Sequence, residues 1–146
     1  MYNLKVSKKQ LEVISAACDL LARLRMGQVC EAFEYLPYKE DVNYGKVWEI
    51  KKSLSQMLPE VLVHGVDGYS SSLGVGSPDL HKDSNIAVDI HQVIRHKLSW
   101  ERAVEKGTVE SEGSGRDWSE MMGVSYDTPF HWGEEELCKV EKVNET

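Results

Sequence analysis

No run in this sequence approaches the roughly 20 consecutive apolar residues that a membrane span requires, so no membrane anchor is expected. Cysteine is scarce. Cys18, Cys30 and Cys138 are odd in number, widely spaced and never arranged as C-x-x-C. That argues against a disulfide framework or a zinc ribbon and for reduced core thiols. Basic residues are in deficit, with 17 Lys and Arg against 24 Asp and Glu and a net charge of −7. Such a balance favours solubility and opposes the counterion displacement that drives non-specific nucleic-acid binding, so no direct DNA binding is expected. Met1 to Lys9 carries lysines with no apolar run behind them. A signal peptide is therefore not expected, and the cytoplasm is the expected address. Catalytic signatures are missing as well. No serine lies in G-x-S-x-G, and no cysteine has the charged, exposed setting of a reactive thiolate. Gly74-Val75-Gly76-Ser77-Pro78 lacks both the Gly-Lys-Ser/Thr ending of a P-loop and the third glycine of a dinucleotide fingerprint. Neither a catalytic residue, a metal nor a cofactor is assigned on these grounds.

What is present suits a single hydrophobic core: 146 residues, 41% hydrophobic and 28% charged. Ser7 followed by Gln10 fits a capping box. Leu11, Ile14, Cys18, Leu21 and Leu24 then recur at helical spacing, widened by Ala17 and Leu20. Gly27 offers a break, and a shorter helix with Val29, Ala32, Phe33 and Leu36 stops at Pro37. A third helix starts near Asp41 or Asn43, repeats Val47, Ile50, Leu54, Met57 and Leu58, and ends at Pro59. The run Val61, Leu62, Val63 reads equally as a strand or a helix exit. Residues 65–84 hold four glycines and five serines; such a loop is not expected to build core and serves as a spacer or a binding loop. Ser84 to Ala103 forms the clearest helix, with Ile86, Ile90, Val93, Ile94, Leu98 and Trp100 on one arc. The expected fold is mainly α: a small helical domain of about four helices, a long Gly/Ser loop and a short C-terminal β or irregular tail. Residues 1–106 would form the helical core domain, and 107–146 an extension packing on it.

Polar chemistry concentrates on the Ser84–Ala103 helix. His91, Arg95 and Arg102 fall on one flank of its apolar arc, spaced by four and seven residues, while Asp89, Gln92 and His96 line the other. Lys97 lies inside the arc and must snorkel or find a partner. A His/Arg stripe suits phosphate or carboxylate, because guanidinium presents a planar donor fork; a solvated, salt-bridged face is the plainer reading. His91 and His96 are turned about 140° apart on a helix, the wrong geometry for the shared metal of an H-E-x-x-H pair. Asp79, His81 and Asp83 alternate before the helix and serve as turn and N-cap residues more readily than as ligands. Backbone amides of the glycine loop, with Ser70, Ser71, Ser72 and Ser77, could nest a phosphate while Tyr69 stacks on a base; a flexible loop is the alternative. Glu134, Glu135 and Glu136 read as a solubilising run. Trp118, Phe130 and Trp132 would pack on the core or close over a partner.

The segment Leu20 to Gln28, with Arg23, Met26, Gly27 and Gln28, and the segment Ala87-Val88-Asp89-Ile90-His91-Gln92-Val93-Ile94-Arg95-His96-Lys97-Leu98-Ser99-Trp100 together resemble small proteins encoded by tailed bacteriophages. In that group an "RxxMGQ" helix break pairs with an "AxDIxQVIRHxLxW" helix, and a tyrosine-bearing glycine loop comes before the second motif. The resemblance covers most of the first hundred residues. It implies a non-catalytic accessory protein acting in the infected bacterial cytoplasm. One such class counters host defence by sequestering nucleotide second messengers. Under that implication the ligand is a small, nucleotide-derived anion. His91, Arg95, His96 and Arg102 would hold phosphate, and Tyr69 would stack, with Ser70, Gly74 and Gly76 in the loop. Met26, Gly27 and Gln28 would form the opposing wall, and the pocket would lie between subunits of a homo-oligomer. Two other readings stay open: a protein–protein inhibitor of a host defence enzyme, and a phosphoesterase-like enzyme using His91 or His96 as general base.

Overall fold

Ser7 opens the first helix as the spacing predicts. Its hydroxyl accepts the Gln10 amide at 3.2 Å, and the Gln10 side chain accepts the Ser7 amide at 2.8 Å, two orphan donors of a helix start satisfied reciprocally. The computed structural model describes residues 2–115 and 123–143. Helix α1 spans Lys8–Arg25, a 3-10 segment spans Val29–Tyr35, and α2 spans Tyr44–Met57 behind an Asn43 cap. Single 3-10 turns follow at Leu58–Glu60 and Val63–Gly65; α3 runs Lys82–Glu105 and α4 Gly123–Tyr126. The protein is mainly helical, and among the described residues there is no strand. Val61 to Val63 is accordingly a turn region, and residues 134–143 are irregular. Trp118 lies outside the described residues.

Helices α1 and α3 form the frame. Ion pairs Lys8–Glu105 (2.9 Å) and Arg25–Asp83 (3.5 Å) close its two ends, which makes the helices antiparallel. Between these ends the contact runs through small residues: Ser15 and Ala22 on α1, Ser84 and Ala87 on α3, all buried. This seam is rotated from the expected leucine stripe, since Leu21 and Leu24 are each 40% exposed and Ala17 is exposed. Small side chains let the backbones approach, and the larger ones are displaced to the flanks. Lys97 finds its partner in Glu112 at 2.7 Å.

The glycine loop corrects a second expectation. Val66 is buried, and Leu73, Val75 and Leu80 pack against the core cluster of Ala22, Met26 and Ala87. Four apolar side chains spaced through a polar stretch are enough to fasten it, although no periodic pattern announces them. A second small cluster joins Trp100, Ala103 and Val109 to Tyr126, and the Trp100 indole donates to the Tyr126 carbonyl at 3.1 Å. The far side of α3 also receives residues 130–133. Buried Asp89 accepts the amides of Trp132 (2.9 Å) and Gly133 (2.7 Å), and Gln92 accepts that of Phe130 (3.3 Å).

Candidate functional site

The break after α1 and the glycine loop are stitched together. Met26 caps α1, and Gly27 turns the chain at φ +84°. Any Cβ at Gly27 would stand 2.8 Å from a Val66 methyl, and one at Gly68 would stand 2.6 Å from Leu58. Glycine at both positions allows the two segments to touch. The Leu73 amide then donates to the Met26 carbonyl (2.8 Å), the Cys30 amide to the Gly68 carbonyl (3.1 Å), and the Gln28 amide group to the Ser72 hydroxyl (3.1 Å). Arg23, paired with Asp19 at 2.8 Å, donates to Gln28 at 3.1 Å and orients it. Met26, Gly27 and Gln28 therefore do stand beside the loop.

Inside the loop an internal anion occupies the nest that the sequence offers to a phosphate. The Asp67 carboxylate accepts the amides of Tyr69 (2.9 Å), Ser70 (2.7 Å) and Ser71 (2.8 Å), together with the Ser70 hydroxyl. The Ser70 hydroxyl and these amides hold the carboxyl well below the usual carboxylate range. Ser71 completes the knot by accepting the Asp67 amide at 2.9 Å. Gly74 is exposed and its carbonyl accepts the Ser77 amide, while the Gly76 amide donates to Asn85 at 3.1 Å. With the amides of Tyr69, Ser70 and Ser71 engaged by Asp67, the loop turns the Tyr69 side chain outward, 59% exposed.

The His/Arg stripe on α3 is turned toward α1. His91 Nδ1 lies 3.0 Å from both the carbonyl and the hydroxyl of Ser15, and Nε2 lies 3.9 Å from Asp19. Ser, His and Asp thus adjoin. A carbonyl accepts only, so in the tautomer that bonds it Nδ1 carries the hydrogen and has no lone pair for the hydroxyl of Ser15, a residue only 7% exposed. Burial pushes the His91 imidazole down, with the Ser15 carbonyl and Asp19 opposing. Arg95 is half-buried beside Asp19 and Arg23, and desolvation lowers its pKa. Arg102 is exposed and donates to Ser99 at 3.1 Å. His96 stands edge-on to Trp100 on the other flank. The four side chains do not converge on one concavity. Ahead of α3, Asp79 pairs with His64 at 2.7 Å, and His81 caps the helix while bonding to Asp83. Among the described residues no group of three or more His, Cys, Asp or Glu could hold a metal ion. No helix among them is long and apolar enough to cross a membrane.

Two concavities open elsewhere. One, about 370 Å³, lies between Gly76–Leu80, the first turn of α3 and Trp132 to Glu135, with the Lys82–Glu134 ion pair (3.0 Å) at its rim. The other, about 220 Å³, is lined by Glu34, Tyr38, Tyr44, Val47, Trp48, Lys51 and Tyr69. No family model, curated protein or solved structure matches this chain. The geometry must speak alone. In the smaller concavity four aromatic residues meet one ammonium group, and Tyr69 is the sequence-predicted residue that lines it. Lys51 is bonded to Glu34 at 3.0 Å, which raises the Lys51 pKa against an opposing desolvation. Lys52 lies over the Trp48 ring at 5.1 Å. The Tyr38 hydroxyl oxygen is buried without a hydrogen-bond partner among the described residues. Tyr44 and Trp48 escape a reading focused on the Val47–Leu54 apolar repeat, although their four-residue spacing places both on one side of α2.

Proposed function

We propose that this protein captures a small anion bearing a planar ring, a nucleotide-derived signal, and holds it without turnover. The observation that carries the reading is the aromatic concavity of Tyr38, Tyr44, Trp48 and Tyr69 on a lysine-rich helix. Helix α2 has three lysines, Lys46, Lys51 and Lys52, against one glutamate, Glu49, in a chain of net charge −7. Rings supply stacking for a base, and ammonium groups supply attraction for phosphate. In this reading the phosphate contacts expected of His91, Arg95, His96 and Arg102 pass to Lys51 and Lys52, the cations nearest the rings. The resemblance to phage proteins gives such capture a purpose, the removal of a defence signal inside an infected cell. Self-association of the chain would deepen the shallow site by placing a neighbour across it.

The test is a panel of linear and cyclic nucleotides incubated with the purified chain, scored for depletion from solution and recovery after heat denaturation. Capture predicts depletion and intact recovery; altered product would replace it with an enzyme. Trp48→Ala should weaken binding about 5- to 150-fold, the range for losing a base–aromatic stack. No depletion of any member rejects the reading. A protein target is the second reading, supported by exposed Phe130 and Trp132, whose rings lie 4.7 Å apart, and by exposed Ile50 and Met57 on α2. Co-purification with a host protein, with indifference to every nucleotide, would select it.

A further inference from the structure

We infer that the outer face of α1 is the seam of a two-fold pair, on which α1 of a second copy of this chain packs antiparallel. The pairing needs no ligand and is independent of the capture reading. Ser15 and Ala22 turn one side of α1 into α3. At about 100° per residue, Val13, Ala17, Leu20 and Leu24 line the opposite side, with Leu21 at the edge. Val13 is 60% exposed, Leu21 and Leu24 are each 40% exposed, Ala17 is exposed and Leu20 is half-buried. No charged side chain interrupts this stripe. Lys9 and Glu12 pair with each other at 3.2 Å, and Asp19 pairs with Arg23 on the flank that faces His91. Large apolar groups left to water over roughly three turns, without a charge among them, mark a contact surface rather than a solvated face.

The spacing of the stripe points to its occupant. Positions 13, 17, 20 and 24 follow one another at intervals of four, three and four, the alternation that two helices bury between them when they pack at a shallow angle. The series reads the same from either end. A two-fold axis passing between Cys18 and Asp19 therefore sets Ala17 against Leu20 of the second copy, and Val13 against its Leu24. The same contacts repeat on the other side of the axis. Each one puts a smaller side chain opposite a larger one, which fills a seam without voids. A parallel pair would instead set Ala17 on Ala17 and Leu24 on Leu24, a gap beside a bulge. The net charge of −7 opposes association in general, but the seam brings no like charges face to face. Because α3 covers the far side of each α1, pairing leaves the frame as it stands.

The experiment follows the mass of the full chain by sedimentation equilibrium over a concentration series. The mass should climb from one chain to two, with a Kd between about 1 µM and 1 mM, the range for a small interface. Ala17→Glu adds a carboxylate at an exposed site and removes no packing within the chain. It should weaken pairing at least about tenfold, because the seam would bury an unpaired charge. Thermal unfolding of the dilute chain should stay unchanged, and Val13→Lys should repeat the effect from the other end of the stripe. Direction is read from Val13→Cys combined with Leu24→Cys, in a chain whose exposed native thiol is removed by Cys138→Ser. Within one copy positions 13 and 24 stand about 17 Å apart along the helix, too far to join. Mild oxidation should therefore link position 13 of one copy to position 24 of the other, as peptide mapping would show. A mass that stays at one chain up to about 1 mM, or pairing indifferent to both charged variants, overturns the inference. Links joining 13 to 13 and 24 to 24 overturn the antiparallel seam.

Discussion

His91 shows how a residue with catalytic chemistry becomes part of a scaffold. Its ring sits at 19% side-chain exposure between α1 and α3, and the Ser15 carbonyl sets its tautomer. Because burial lowers the folded pKa from 6.5, the unfolded chain binds the proton first as pH falls. The stability tied to neutral His91 is therefore complete above about pH 6.5 and declines as pH drops toward the folded value. His91→Gln should flatten that acid-side slope in urea denaturation series run between pH 7.5 and 5, values bracketing the histidine range. An unchanged slope would mean the imidazole protonates in place. The same reasoning explains what was legible at this scale. Residue type marked His91, Arg95 and Tyr69 as chemically capable, but spacing on one helix does not say which neighbour covers which flank. Tyr38 and Trp48 carried no motif. Only the close approach of residues 34–51 to the loop brings them together with Tyr69.

At the scale of elements, the turn at Gly27 is the most constrained joint. It combines a left-handed backbone with a 2.8 Å approach of Val66 to any added Cβ. Gly27→Ala should lower stability by about 2 kcal/mol or more, from the backbone penalty and the displaced valine together. Thermal unfolding measures it, and a fully stable variant would show that the loop can move aside freely. Helix boundaries were largely readable, because caps are local: Ser7 with Gln10, and Asn43 before α2. The packing face of α1 was not. Periodicity counts large apolar side chains, while the frame is sealed by Ser15, Ala22, Ser84 and Ala87, which such a count weighs lightly. The loop misled for the opposite reason, since its glycines hid four apolar anchors.

For the molecule as a whole, α3 is the shared spine, with α1 on one flank and residues 126–133 on the other. Asp89, 4% exposed, fastens the second flank by serving two backbone amides at once. Asp89→Ala should lower the unfolding free energy by about 1–3 kcal/mol, the range for stranding buried donors, and should expose residues 134–143 to limited proteolysis. Asp89→Asn, with one acceptor oxygen left, should recover part of it. An unaltered denaturation midpoint with the tail still protected would detach the spine from that role. The knot around Asp67 has a different consequence, one of timing. A segment that carries its own counter-anion has finished ordering before it meets anything, so Tyr69 waits in position. Association at that edge should follow a single exponential whose rate rises linearly with ligand concentration, with no slow conformational phase behind it. Under the proposed capture of a ligand, the concavity would then work as a trap that is always set.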